Sequence, residues 1–149
     1  MSFPRVTNGA VPIVDRRTVT LTSSVTTSAT YGSITNFPRE GFIRRVRAKV
    51  KDGSGGLPFE ISLYETNPEG SDGTDGIHRV ATYRVTEPNV GVFPASTDYI
   101  LDSEEELYYQ VADKTSGTMG TLYYSVKTLT GTANSVELRI EVELAGGAY

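Results

Sequence analysis

The sequence predicts an all-β fold, an antiparallel β-sandwich of about eight strands with a jelly-roll-like arrangement. Three observations carry this expectation. Apolar residues recur with the period of a strand rather than that of a helix along most of the chain. The alternating segments are short and are parted by clusters of Gly, Asn, Asp and Pro, the residues that make reversals. Each segment also keeps one polar face, which suits antiparallel sheets with a wet side better than parallel sheets buried on both.

Residues 1–17 come first and alternate poorly. Pro4 and Pro12 each remove a backbone donor, and Asn8-Gly9 marks a turn. Phe3, Val6, Val11, Ile13 and Val14 nevertheless give the segment apolar area that a solvated tail would lack. Together these features predict an extended N-terminal arm lying on a partner, with Arg5, Arg16 and Arg17 steering it toward an acidic surface. The sandwich domain is expected over 18–144. Val19 and Leu21 mark its first strand, around 18–25. Val46, Ala48 and Val50 alternate with Arg45, Arg47, Lys49 and Lys51 in the next. Phe59, Ile61 and Leu63 follow, then Ile77, Ala81, Tyr83 and Val85, then a short strand at Tyr99 and Leu101.

The stretch Asp102-Ser-Glu-Glu-Glu-Leu107 is read as a charged turn with at most one helical turn, capped by Asp102 or Ser103. Leu107, Tyr109 and Val111 form the strand after it, and Leu122, Tyr124 and Val126 the one after that. The clearest pattern closes the domain: Val136, Leu138, Ile140, Val142 and Leu144 alternate with Glu137, Arg139, Glu141 and Glu143. Residues 145–149 are expected to be a short flexible tail. The inward set should include Val46, Val50, Phe59, Ile61, Leu63, Leu107, Val111, Leu122, Val126, Leu138, Ile140 and Val142.

With 149 residues and 38% hydrophobic side chains the chain has the makings of one ordinary globular domain. No apolar run is long enough for a membrane helix, and no membrane partner is expected. The opening residues carry no charged segment followed by an apolar one, so no secretory signal is expected. With no cysteine there are no disulfides, thiolate ligands or cysteine nucleophiles. Charge is divided unevenly. Residues 1–51 hold nine Lys and Arg against two acids, a net +7, whereas 52–149 hold five against sixteen, a net −11. Such a split suits either basic and acidic strands paired within one fold or one subunit's front docking on another's back.

Candidate chemistry is sparse. Asp72-Gly-Thr-Asp-Gly76 begins like a calcium loop, but its carboxylates are three apart and no distant Glu completes the ligand set. It is read as a glycine-rich loop, and no metal is expected. Asp102, Glu104, Glu105 and Glu106 are consecutive enough to be a wet acidic edge rather than a facing acid–base pair. His78, the single histidine, has Asp75 nearby but no nucleophile pattern. Gly53, Gly55 and Gly56 fit no phosphate-binding motif. No catalytic residue and no cofactor is therefore expected. Arg45, Arg47 and Lys49 form a basic row about 7 Å apart on one strand face. Without interleaved aromatic rings the row favours a carboxylate-bearing protein over nucleic acid. Tyr64, Tyr108 and Tyr123 fall out of phase with their strands' apolar sets, fit for a subunit interface or a sugar-binding face.

The stretches Phe42-Ile-Arg-Arg-Val-Arg-Ala-Lys-Val-Lys51, Phe59-Glu-Ile-Ser-Leu-Tyr-Glu65 and Leu107-Tyr-Tyr-Gln-Val-Ala-Asp113, in a cysteine-free β domain behind an extended arm, give a resemblance. Over roughly residues 18–144 the chain resembles accessory virion proteins of tailed double-stranded-DNA bacteriophages, most of all capsid decoration (cement) proteins. It is a likeness of composition and strand pattern, and no functional residue is carried over. It implies a non-enzymatic virion protein on the capsid surface, made in the host cytoplasm. Its implied partners are the major capsid protein and its own copies, trimers foremost. The alternative expectation is a carbohydrate-binding or receptor-binding domain of a phage tail or fibre. The partner-binding residues expected are Phe3, Arg5, Val6, Val11, Ile13, Val14, Arg16, Arg17, Arg45, Arg47 and Lys49.

Overall fold

The computed structural model describes residues 14–21, 24–51, 56–69, 79–86 and 101–144. These contain eight strands and no helix: β1 (Val14–Leu21), β2 (Thr30–Pro38), β3 (Glu40–Lys51), β4 (Phe59–Tyr64), β5 (Arg79–Val85), β6 (Leu101–Gln110), β7 (Met119–Thr128) and β8 (Ser135–Leu144). They form two four-stranded sheets, ordered β1-β8-β3-β6 and β2-β7-β4-β5, with every pair antiparallel. One rule runs through the pairing: β1 meets β8, β2 meets β7, β3 meets β6 and β4 meets β5. The chain is in effect a long hairpin rolled up, with successive pairs falling in opposite sheets. The β3–β8 and β4–β7 pairings close the roll. This is the jelly-roll-like sandwich that the alternation and turn spacing predict.

Alternation fills the core between the sheets. Val136, Leu138, Ile140 and Val142 of β8 are buried while Glu137, Arg139, Glu141 and Glu143 point outward. Eleven of the twelve residues expected inward are buried, and Leu107 is half-buried and packs against them. Phe37 and Tyr109 meet with ring centroids 5.4 Å apart. The Tyr109 hydroxyl donates to the Pro38 carbonyl oxygen at 2.7 Å and so satisfies a buried polar group at each end.

Three elements differ from the sequence expectation. β1 begins at Val14, so residues 14–17 are strand rather than arm: Asp15, Arg16 and Arg17 stand opposite Val142, Glu141 and Ile140. Pairing with β8 satisfies their backbone groups, and the charges of Asp15-Arg16-Arg17 conceal the alternation. Arg17 lies on the inward phase, where its guanidinium pairs with Asp15 and donates to the Asn36 carbonyl of β2 at 2.7 Å, bridging the two sheets. The expected arm's remaining residues, 1–13, and the expected tail, 145–149, lie outside the described residues.

The second difference is β2, which the sequence reading misses. Its register slips between Ile34 and Phe37, and Asn36 takes a positive φ of 52° there, a bulge that shifts the apolar phase. The third is β6, which takes in Leu101 and the expected charged turn, whereas Tyr99 of the expected short strand lies outside the described residues. Residues 101–110 form one continuous strand beside β3, whose antiparallel pairing from Leu101 to Gln110 satisfies the backbone that a local cap would otherwise turn. The corner from β2 to β3 is held by Arg39, whose amide donates to Thr118 O at 2.9 Å and whose carbonyl accepts from Val111 N at 2.9 Å. Gly41 follows because an added Cβ would lie 2.5 Å from the Glu143 carbonyl oxygen.

Candidate interaction surfaces

The outer face of β1-β8-β3-β6 is an ordered field of charges. One row crosses all four strands in register: Arg16, Glu141, Arg45 and Glu104, alternating in sign. Arg16 Nε lies 3.4 Å from Glu141 Oε2, and Arg45 Nε lies 3.9 Å from Glu104 Oε1. A second row sets Lys49 against Glu137 at 3.1 Å. Between them Arg47 stands opposite Arg139 on one side and Asp102 on the other. The β3 register slips between Ile43 and Arg45, and Arg44 at this bulge reaches Glu143 with 2.7 Å between Nη1 and Oε1. A shallow depression of about 470 Å³ opens there, lined by Arg44, Arg45, Glu104, Glu105, Glu106, Glu141 and Glu143.

The basic row of β3 is therefore no unbalanced strip. β8 on one flank and β6 on the other bring carboxylates to Arg45 and Lys49, so cations of the chain's basic part meet acids of its later part within one sheet. The alternation of β8 shows its charges but not which strand they face, so Arg44, Glu141 and Glu143 join the surface only through the β3–β8 pairing. Of the other expected partner-binding residues, Arg16 faces outward on β1, Arg17 is engaged with Asp15 and Asn36, and Val14 opens β1. Phe3, Arg5, Val6, Val11 and Ile13 lie outside the described residues, as do Asp72, Asp75 and His78. Among the described residues no group of carboxylates or histidines is placed to hold a metal.

The end of this face carries an aromatic pair. Tyr108 and Phe42 sit opposite each other on β6 and β3 with centroids 5.6 Å apart, edge to face. The exposed Tyr108 hydroxyl donates to the Glu40 carboxylate, a bond that raises its pKa.

The outer face of β2-β7-β4-β5 has a different character: beyond the Lys127–Glu60 ion pair at 3.5 Å, it carries hydroxyls and tyrosine rings. Tyr64 stands opposite Tyr123, and Ser62 opposite Ser125. The Tyr64 ring lies across the sheet so that its hydroxyl meets Ser125 Oγ at 3.0 Å, and Ser62 Oγ meets Thr82 Oγ1 at 2.9 Å. The Arg79 guanidinium is 5.7 Å from the centre of the Tyr64 ring. Tyr123 donates to the Asp113 carboxylate; burial, then that bond and the charge behind it, push its pKa up to about 12. Tyr31 of β2 is 41% exposed beside this patch. The three tyrosines singled out from the sequence thus divide between faces: Tyr64 and Tyr123 on this one, Tyr108 on the charged one.

No family model matches the chain, and no curated protein does. Solved structures show distant likenesses. The cyanophage Pam1 capsid asymmetric unit is 12% identical with a TM-score of 0.40, covering 97% of this chain and 94% of that one. Bacillus endospore appendages, described as disulfide-linked pili, are 15% identical with a TM-score of 0.36, covering 97% and 100%. Desmodium yellow mottle tymovirus is 13% identical with a TM-score of 0.33, covering 97% and 93%. At these scores the likenesses carry no argument about function.

Proposed function

We propose that the protein is a non-enzymatic structural virion protein, a decoration protein that binds the outer surface of a bacteriophage capsid and stabilises it. The observation that carries the reading is the cross-strand pairing of charges on the outer face of β1-β8-β3-β6. Its ionic groups pair with one another across strands, as Arg16–Glu141, Arg44–Glu143 and Lys49–Glu137 do, and the depression they line is shallow and open. A face of that kind suits a broad protein contact in which charge sets register and orientation. The jelly-roll-like winding and the strand-pattern resemblance to phage decoration proteins support the same reading. The partners proposed are the major capsid protein and further copies of the chain, with no nucleic acid and no membrane. The test is co-sedimentation with empty shells built from the major capsid protein encoded in the same genome. Saturable pelleting that weakens with salt is expected, and a protein left wholly in the supernatant overturns the reading.

The tyrosine and hydroxyl face favours a second reading, a carbohydrate-binding or receptor-binding domain. Tyr31 and Tyr123 offer ring surface, with hydroxyls alongside to orient a sugar. A glycan array probed with the purified protein decides it: specific, saturable binding lost in Tyr31→Ala supports this second reading, and a blank array removes it.

A further inference from the structure

The charged face ends in two open strands, and their charges are opposite. In the order β1-β8-β3-β6, β1 and β6 are the edges, and among the described residues neither pairs with a second strand. The row Arg16–Glu141–Arg45–Glu104 begins on one edge with a base and ends on the other with an acid. Both terminal side chains face water, Arg16 at 60% and Glu104 at 74% exposure, whereas Glu141 between them is at 16%. An open strand edge presents unpaired N–H and C=O groups, a template for another chain. Natural edges are blunted by charge, and here the blunting is selective: β6 against β6 would set Glu104 and Glu106 against acids, while β6 against β1 sets them against Arg16.

Strand direction agrees. The sheet has four antiparallel strands, so β1 and β6 run in opposite directions. A second copy laid beside the first in the same orientation brings its β1 antiparallel to the first copy's β6, the pairing already used throughout the sheet. At the spacing of paired strands, about 5 Å, the alternating row then runs unbroken across the junction.

We propose that copies of this chain associate head to tail through edge strands β1 and β6, with Arg16 of one copy seated against Glu104 of the next. The occupant of each edge is a second copy of this chain. Such an interface is heterologous: it closes into a ring where the rotation between copies permits and otherwise continues as a chain. The inference deepens the proposed self-association of a decoration protein but rests on the edges alone, and it holds whether or not the protein sits on a shell.

The experiment is sedimentation velocity of the full-length protein over a range of protein and salt concentrations. The wild type should form species of three or more copies that dissociate as salt rises. Arg16→Glu and Glu104→Arg should each raise the dissociation constant at least tenfold, and mixing the two in equal amounts should restore association, because each supplies the edge the other lacks. Arg16→Gln and Glu104→Gln keep the neighbouring charges tolerable and should show a smaller loss at unchanged melting temperature. A wild type that stays monomeric at its highest soluble concentration overturns the inference, as does association that survives both charge reversals. A monomer that still pellets with shells would overturn this inference alone and leave the proposed function standing.

Discussion

Tyr109→Phe isolates one hydrogen bond at the corner on which the charged face depends. Tyr109 is fully buried on β6, and its hydroxyl donates to the Pro38 carbonyl at 2.7 Å, across from one sheet to the strand that ends the other. Pro38 is itself buried, and Arg39 and Glu40 behind it lead the chain into β3. Removing the hydroxyl keeps the ring and its contact with Phe37 at 5.4 Å. What remains is a buried carbonyl without its donor, a cost of about 1–3 kcal/mol. For a chain of this size that corresponds to about 2–4 °C in melting temperature per kcal/mol. The assay is denaturant unfolding of wild type and variant side by side, with the slope checked for constancy so that the midpoint reports stability. Amide exchange should quicken at Arg39 and Val111, which bond to Thr118 and Arg39 across the same corner. Tyr109→Ala serves as the scale, with a loss of about 3–5 kcal/mol for the whole ring. A Tyr109→Phe midpoint equal to wild type, with unchanged exchange at Arg39, would refute the claim that this bond fastens the corner.

Three further outcomes are expected. Ile140→Ala, in the middle of β8 and fully buried, should cost about 2–5 kcal/mol in the same unfolding assay. Glu141→Lys places a third cation between Arg16 and Arg45 and should cost about 0.5–2 kcal/mol, a penalty that shrinks as salt is added. Alkaline titration followed by tyrosinate absorbance should show a step near pH 12 that Tyr123→Phe removes and Asp113→Asn moves part of the way down. The unfolded chain ionises this hydroxyl near pH 10 and the folded one later, so the group's contribution is intact below pH 10 and is lost as pH rises toward 12.

Some elements were legible in the sequence because apolar residues alternate with polar ones or tyrosine along them. β8 and β4 carry an uninterrupted apolar phase, and the buried residues are those the alternation names. β2 was not legible, because a bulge at Asn36 resets the phase between Ile34 and Phe37 and leaves Gly32 and Ser33 where a longer alternation would show. β6 was misread for another reason. Three consecutive glutamates have no strand signature of their own, and what makes them a strand is β3, some sixty residues earlier in the chain. The candidate surface shared this limit: its residues were visible, and their neighbours were not.

The rolled hairpin explains how basic and acidic strands come to be paired within one fold. Pairing β1 with β8, β2 with β7, β3 with β6 and β4 with β5 sets the first half of the chain against the second at every step. A basic beginning and an acidic remainder are thus brought side by side by the winding itself, and Arg16, Arg44, Arg45 and Lys49 find Glu141, Glu143, Glu104 and Glu137. The same charges spread without order over the chain would leave like signs opposed in neighbouring strands, as Arg47 and Arg139 are here. What the winding cannot do is match the outermost strands, since among the described residues each edge has a neighbour on one side only. The base at one edge and the acid at the other are where the pattern that neutralises the sheet within one copy is open to a second.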